Sequence, residues 1–457
     1  MDFFMQHDTR SVVVVFVPES EFTDWKKTLT DSQQSWLDIS GFSAKARQVC
    51  SLLDNSGQLE KVVCSLPKPD ALFDWCNQVA QFPKGIFHLS RHHSINDKHW
   101  FNLHLYWGLS QYQFTRYKKQ SITEKFLCYP VDIEKDELIS SVDALTLAKD
   151  IINTPNEDMH PQALAHTVSV VAEKFNAKVK VIEGDALLSE GFPTIHRVGR
   201  AGHRAPCFIE MTWGDETHPK VTLVGKGVCF DTGGINIKNT TGMRHMKKDM
   251  GGAACALALG ELIMASKLPV SLSLLIPAVE NNIAANCMVP GDVVITRSGL
   301  SVEISNTDAE GRLILCDALS YAAESSPALL IDFATLTGAA RVALGPDCVP
   351  FFSNCSELAQ GLGSAASNIG LTYWQMPLYE PYLEYLKSDV ADCMNAGETY
   401  FAGAITAALY LQQFVSDDLR WAHFDIFAWN AASKPGRPRG GEAECVLGVF
   451  EYLKSIY

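Results

Sequence analysis

The sequence predicts an α/β protein: a mixed, mostly parallel sheet flanked by helices over residues 139–457, and a smaller α/β N-terminal domain over 1–138. Three observations carry this. The 457 residues exceed what one ordinary hydrophobic core organises. Short continuous apolar runs alternate with longer periodic ones, as strands alternate with helices. The short runs also lack the polar alternation of a sheet with one wet face, which points to strands covered on both sides.

In the N-terminal part, S-V-V-V-V-F-V (11–17) reads as a buried strand, and Ala44–Leu53 and Asp70–Gln81 as helices. Residues 98–131 are rich in aromatic and basic side chains, and V-D-I-E-K-D-E-L (131–138) either links domains or opens a helix. Asp143–Ile152 has helical periodicity and stops at N-T-P (153–155), because the residue before a proline is pushed out of the helical region. His160-Pro161 starts a second helix that runs to about Phe175. Strands are expected at 177–183, 218–227, 271–278 and 328–334, and helices at 251–266 and Arg312–Ala323. The 251–266 helix is built largely from small residues and should pack closely against its neighbours.

Composition excludes several classes. A 47% hydrophobic and 20% charged chain is an ordinary globular balance, not a disordered or fibrous one. The net charge of −14 repels phosphates, so nucleic acid is an unlikely partner, and the basic clusters at 116–119 and 434–439 are short. The 13 cysteines are odd in number, irregularly spaced and free of C-x-x-C pairs, which argues for reduced thiols and a cytoplasmic location. M-D-F-F-M-Q-H-D-T-R has no basic region followed by an apolar stretch, so no signal peptide is expected, and no run reaches the roughly 18 apolar residues of a membrane span.

The chemistry concentrates in four segments. In E-I-S-N-T-D-A-E-G-R-L (303–313), Asp308, Glu310 and Arg312 alternate, so an extended backbone would place all three on one face. Crowded carboxylates need a positive partner, which could be Arg312 or a divalent metal. V-G-K-G-V-C-F-D-T-G-G (224–234) leaves an apolar strand carrying Lys226 and Asp231, at the strand end where α/β sheets place ligand residues. I-N-I-K (235–238) adds Lys238, and M-K-K-D-M-G-G-A-A (246–254) sets Asp249 before a helix. Four carboxylates can hold two metal ions about 3.5–4 Å apart. Each piece also has a plainer explanation: Asp249 as a helix N-cap, Lys226 as a solvated lysine, Asp231 as a turn residue, and Asp308, Glu310 and Arg312 as an ion-pair network.

Together, in this order and spacing, the four segments resemble the signature of the cytosolic leucine aminopeptidase family of dinuclear-metal exopeptidases. The resemblance covers roughly 140–457 and implies a metal-dependent aminopeptidase that removes the N-terminal residue from short peptides with a free N-terminus, using a water activated by two metals. It implies that Lys226, Asp231, Asp249 and Glu310 hold one divalent ion and Asp231, Asp308 and Glu310 the other, with Zn or Mn expected and Mg also suited. Lys238 would meet the scissile carbonyl, and Arg312 a bicarbonate ion that relays protons. Met246, Thr335, Gly338 and Phe427 match positions lining the pocket for the N-terminal side chain. A homo-hexamer is also implied.

The chain departs from the pattern late. H-F-D-I-F-A-W-N (423–430) stands where Asp-Ile-Ala-Gly is common, so Phe427 replaces a small residue and either narrows the pocket or turns into the core. Thr232 and Asn236 replace serines. His245 and His423 are not expected as ligands, because the site is already filled by oxygens and one lysine. Two other functions are kept open: a DNA-binding or architectural relative with secondary peptidase activity, which the acidic charge disfavours, and a two-metal phosphoesterase, which would be expected to carry histidines.

Overall fold

The computed structural model describes residues 3–6, 8–68, 72–119 and 124–457. The chain divides into two compact units: Met1–Thr146 with Asn368–Gly370 and Ala431–Arg439, and Leu147–Ser367 with Leu371–Asn430 and Gly440–Tyr457. The division falls within the helix Lys135–Asn153, which V-D-I-E-K-D-E-L opens.

The first unit holds a six-stranded sheet in the order Phe4–Met5, Lys125–Cys128, Gly85–Ser90, Val12–Val17, Leu59–Ser65, Val49–Leu53. All its pairings are parallel except the last, an antiparallel hairpin. That hairpin corrects one expectation, since Ala44–Leu53 is not a helix. Ala44 and Arg47 take positive φ, and V-C-S-L-L pairs with Leu59–Ser65, burying Cys50 and Leu52. Pairing across the turn outweighs a local periodicity that helix and strand share. The helix expected over Asp70–Gln81 is Leu72–Ala80; residues 70 and 71 lie outside the described residues.

The second unit is built on a nine-stranded sheet. Its path runs Tyr373–Gln375, Val349–Ser353, Trp421–Asp425, Leu329–Ala334, Lys220–Gly225, Ser271–Asn281, Cys207–Trp213, Lys178–Glu183, with Gly227–Asp231 beside Ser271–Asn281. Four central strands, from Trp421–Asp425 to Ser271–Asn281, are mutually parallel, while the flanks bring in antiparallel pairings. The sheet is therefore mixed and mostly parallel. Leu329–Ala334 is buried at every position, as a strand with both faces covered must be. The small-residue helix Gly251–Ala265 packs on it so closely that a Cβ on Gly252 would stand 2.0 Å from the Phe333 carbonyl oxygen. Among the described residues no helix is long and apolar enough to cross a membrane.

Candidate metal centre

Parallel strands direct their carboxyl ends to one edge of the sheet, and the candidate residues collect there. Lys226 follows Lys220–Gly225, Asp231 ends Gly227–Asp231, and Thr335 follows Leu329–Ala334. The Lys226 turn is pinned from both sides: its N–H donates to the Phe333 carbonyl, and its carbonyl accepts from Ala253 N–H, each at 2.9 Å.

Asp308 and Glu310 do not project alternately from an extended segment. Glu310 is the first residue of the helix Glu310–Glu324, and Asp308 lies in the preceding turn. They converge because the chain turns there. Ligand oxygens of Asp231, Asp308 and Glu310 all lie within 4.8 Å of one another. Asp249 joins through Lys226, whose Nζ lies 2.7 Å from Asp249 Oδ2 and 3.0 Å from Glu310 Oε1. Lys226 also donates to the Thr335 carbonyl at 3.1 Å. Lys238 Nζ lies 2.7 Å from Asp231 Oδ2 and pairs with Asp308. The cations beside the carboxylates are thus Lys226 and Lys238. Arg312 instead donates from Nη1 to the Asn395 carbonyl.

The plainer explanations fail for most of these residues. Asp249 is not the N-cap of Gly251–Ala265; Met250 holds that position, and Asp249 Oδ1 accepts from Thr335 Oγ1 at 2.7 Å. Lys226 is 2% exposed, so it is not a solvated lysine. Asp231 does serve a turn, accepting from Gly233 N–H at 2.8 Å, but its other contacts face the cluster. That turn requires glycine: Gly233 has φ +88°, and a Cβ there would meet Asp308 Oδ1 at 2.9 Å. His423 Nδ1 lies 2.6 Å from Asp332 Oδ1 within the sheet, and His245 stacks on Trp429, so neither joins the cluster.

Several residues support the ligands: Asn281 lies outside the segments quoted from the sequence, and Asn236, Thr307 and Asp425 lie inside them without the local pattern assigning them that role. Asn281 Nδ2, at the end of Ser271–Asn281, donates to Asp231 Oδ1 at 2.8 Å and the Thr307 carbonyl at 3.1 Å. Asn236 and Thr307 lace the two ligand loops together: Asn236 Oδ1 accepts from Thr307 N–H, and Asn236 N–H donates to Thr307 Oγ1, both at 2.9 Å. Asp425 accepts from Leu336 N–H at 3.0 Å, Thr337 N–H at 2.9 Å and Thr337 Oγ1 at 2.6 Å, fixing the loop that carries Thr335. Only the parallel register of Leu329–Ala334 with Trp421–Asp425 brings Asp425 there.

The electrostatics are those of crowded, dry carboxylates. Burial and the neighbouring Asp231 push Glu310 up to about 8 and Asp308 up to about 6. Burial also raises Asp249, but Lys226, Lys248 and Lys238 outweigh it and hold that carboxyl below its ordinary range. Burial disfavours the ammonium of Lys226, yet Asp249, Glu310 and Asp231 hold it above its ordinary value. Asp249 Oδ2 and Asp308 Oδ1 are buried without a hydrogen bond of good geometry; each has only an ammonium alongside. Two buried oxygens with open lone pairs, set among three carboxylates in mutual reach and a fourth joined through an amine, fit oxygen-preferring divalent ions.

Of the expected pocket residues, Thr335 touches this cluster through Asp249. Met246 opens the short 3₁₀ turn Met246–Lys248, and its carbonyl accepts from Asp249 N–H. Gly338 starts the helix Gly338–Leu344, and a Cβ there would meet nothing within 4 Å. Phe427 is partly buried, with Arg341 Cζ at 4.5 Å and Lys248 Nζ at 5.1 Å from its ring centroid.

Comparison with known proteins agrees with this reading. A profile of the cytosol aminopeptidase family, catalytic domain, matches residues 146–447, and one of the M17 aminopeptidase N-terminal domain matches 12–130. A probable cytosol aminopeptidase of Geobacter sulfurreducens is 41% identical over 317 residues, 68% of this chain and 64% of that protein. The chain thus spans under two thirds of the length of the curated relatives it matches first. A crystal structure of cytosol aminopeptidase from Coxiella burnetii is 46% identical with a TM-score of 0.96, covering 100% of this chain and 99% of that one. The bottromycin maturation enzyme BotP, in complex with Mn, is 28% identical with a TM-score of 0.87, covering 98% and 100%. The chain belongs to the cytosol aminopeptidase family.

Proposed function

We propose that this chain is a metal-dependent aminopeptidase that removes the N-terminal residue from short peptides. The observation that carries the reading is the convergence of Asp231, Asp308 and Glu310 within 4.8 Å, with Lys226 bridging to Asp249 and Lys238 facing the same carboxylates. Lys226, Asp231, Asp249 and Glu310 would hold one divalent ion, and Asp231, Asp308 and Glu310 the second. Two bound ions supply Lewis acidity and bring the ionisation of water toward neutral pH. Mn bound to BotP supports manganese, which the carboxylate donors favour, and zinc also accepts such carboxylate oxygens.

The chain's own residues do the rest. Lys238, held above its ordinary range by Asp231, Glu310 and Asp308 against the cost of burial, stays charged and can donate to a carbonyl oxygen as negative charge develops there. Lys226 would have to be neutral to serve as a ligand, since only its unprotonated amine has a lone pair to give. Arg312 is buried, and among the described residues no carboxylate forms an ion pair with it; a small anion such as bicarbonate would complete it. Thr335, Met246, Gly338 and Phe427 would line the pocket for the N-terminal side chain, with Phe427 narrowing it.

Residues 139–457 form the catalytic domain in this reading and 1–138 the N-terminal domain. The relatives' names support a cytosolic location, and a homo-hexamer is the family expectation. Light scattering tests the hexamer; a monomer of 50.3 kDa would refute it. The activity is tested with a panel of aminoacyl amides at mildly alkaline pH, with Mn or Zn, with chelator, and with Asp308→Ala. Metal-dependent release of the N-terminal residue, lost in the variant, is expected. No release from any member by metal-loaded protein would overturn the reading. The net charge of −14 opposes the nucleic-acid alternative, which a gel shift at low salt would have to show.

A further inference from the structure

The N-terminal sheet has its own topological switch point. Val12–Val17 and Gly85–Ser90 are parallel neighbours. From the first the chain continues to the Leu59–Ser65 side of the sheet, and from the second to the Lys125–Cys128 side. Where strand order reverses in this way, the loops leaving the two carboxyl ends diverge and open a crevice, the usual ligand position in such sheets. Here a crevice of about 150 Å³ opens between those ends, lined by Phe16, Glu21, Trp25, Arg91 and His92 among others.

Three side chains of metal-ligating type meet beside it. Glu21 comes from the turn after Val12–Val17, and His92 and His93 from the loop after Gly85–Ser90. Their ligand atoms all lie within 4.8 Å of one another. His92 Nε2 is 3.0 Å from Glu21 Oε2, and His93 Nε2 is 4.0 Å from Glu21 Oε1. A turn at His93–Ser94, closed by Ile95 N–H donating to the His92 carbonyl at 2.9 Å, lays the two imidazoles side by side, ring centroids 4.1 Å apart, and both face the same carboxylate. A pair of protonated rings would repel in that arrangement, whereas one ion shared by two neutral rings and a carboxylate uses it. His92 Nδ1 sits 2.8 Å from Ser94 Oγ, the outer hydrogen bond that orients a ligating imidazole. The nearby cation, Arg91, is already engaged by Asp97 at 2.6 Å and Asp132 at 3.0 Å.

We propose that Glu21, His92 and His93 form a zinc site in the N-terminal unit, separate from the carboxylate cluster. Two imidazoles and one carboxylate select zinc over magnesium or calcium, and three protein ligands would leave a fourth tetrahedral position for water or a small donor ligand. Bonds of about 2.0 Å in a tetrahedron put ligand atoms roughly 3.3 Å apart, so the exposed His93, now 4.0 Å from Glu21, must draw in by about 0.7 Å. The ion joins the two loops that leave the switch point.

The test uses untagged full-length protein, because a polyhistidine tag binds the same ions. Stripped protein is dialysed against zinc, and bound zinc per chain is counted for wild type and for the triple variant Glu21→Gln, His92→Gln, His93→Gln. Wild type is expected to hold one more equivalent than the variant, with aminoacyl-amide hydrolysis equal in both. The difference is the readout, so it stands however many ions the carboxylate cluster holds. The single variant His93→Gln guards against misfolding, since that side chain is 79% exposed; it too is expected to lose the equivalent. Equal zinc counts in wild type and folded His93→Gln overturn the proposal.

Discussion

Gly311→Ala tests the placement of Lys226 without replacing any charged residue. Gly311 is the second residue of the helix Glu310–Glu324. A Cβ there would stand 2.6 Å from Lys226 Cε, 2.9 Å from Lys226 Nζ and 3.0 Å from Leu336 Cδ1. Carbon atoms rest about 3.5–4.0 Å apart, so the end of Lys226 must retreat by about 1 Å. It cannot retreat and keep its contacts, because Asp249, Glu310 and the Thr335 carbonyl hold Nζ at 2.7, 3.0 and 3.1 Å. A displacement of that size in a reacting centre costs on the order of 10²-fold in rate. The helix itself gains up to about 1 kcal/mol when alanine replaces glycine, which offsets much of the strain. The expected signature is therefore a folded protein of near-normal stability whose kcat/KM for leucine amide falls about 100-fold. Gly363→Ala is the control: it lies in the helix Ser356–Ser367, its Cβ meets nothing within 4 Å, and it should leave activity unchanged. Full activity in metal-loaded Gly311→Ala would show that the position of Lys226 does not matter to the reaction.

Other perturbations follow from the same geometry. Asp425→Ala strands two backbone N–H groups and a hydroxyl, a cost of about 2–4 kcal/mol; it should lower the denaturant midpoint and activity together, and an unchanged midpoint counts against the role given to Asp425. Phe427→Ala should raise kcat/KM for bulky N-terminal residues relative to alanine by about tenfold or more, and an unchanged ranking would place Phe427 outside the pocket. His104, buried in the helix Asp97–Ser110, is pushed down to about 4 chiefly by burial. The unfolded chain takes up its proton near 6.5 and the folded chain only near 4, so stability falls as pH drops through that window, by about 3 kcal/mol in all. Hydrogen exchange of that helix against pH measures this, and His104→Gln should flatten the dependence; equal acid sensitivity in both would contradict it.

The sequence made the site legible because its residues sit in four short, ordered segments at strand ends and a helix start. Lys226, Asp231, Asp249, Asp308 and Glu310 do gather there. What it did not convey was geometry created by pairing. The alternating reading of 303–313 assumed an extended backbone, whereas the chain turns at Asp308 and enters a helix at Glu310. Arg312 looked like the partner of those carboxylates, but once in the helix it reaches Asn395, 83 residues away in sequence. Asn281 reaches the cluster through the register of neighbouring parallel strands, and Asp425, although it stands in H-F-D-I-F-A-W-N, reaches the Thr335 loop the same way; no local pattern encodes that register. In the N-terminal unit, Val49–Leu53 became a strand because a hairpin partner was available ten residues on.

The central claim is that these five residues hold two ions. Anomalous diffraction from crystals of the wild-type protein soaked in manganese tests it directly. The account predicts two peaks about 3.5–4 Å apart, one touching Lys226 and Asp249 and the other Asp308, with Asp231 and Glu310 between them. No peak among these side chains, or a single ion bound without Asp231 and Glu310, would contradict it.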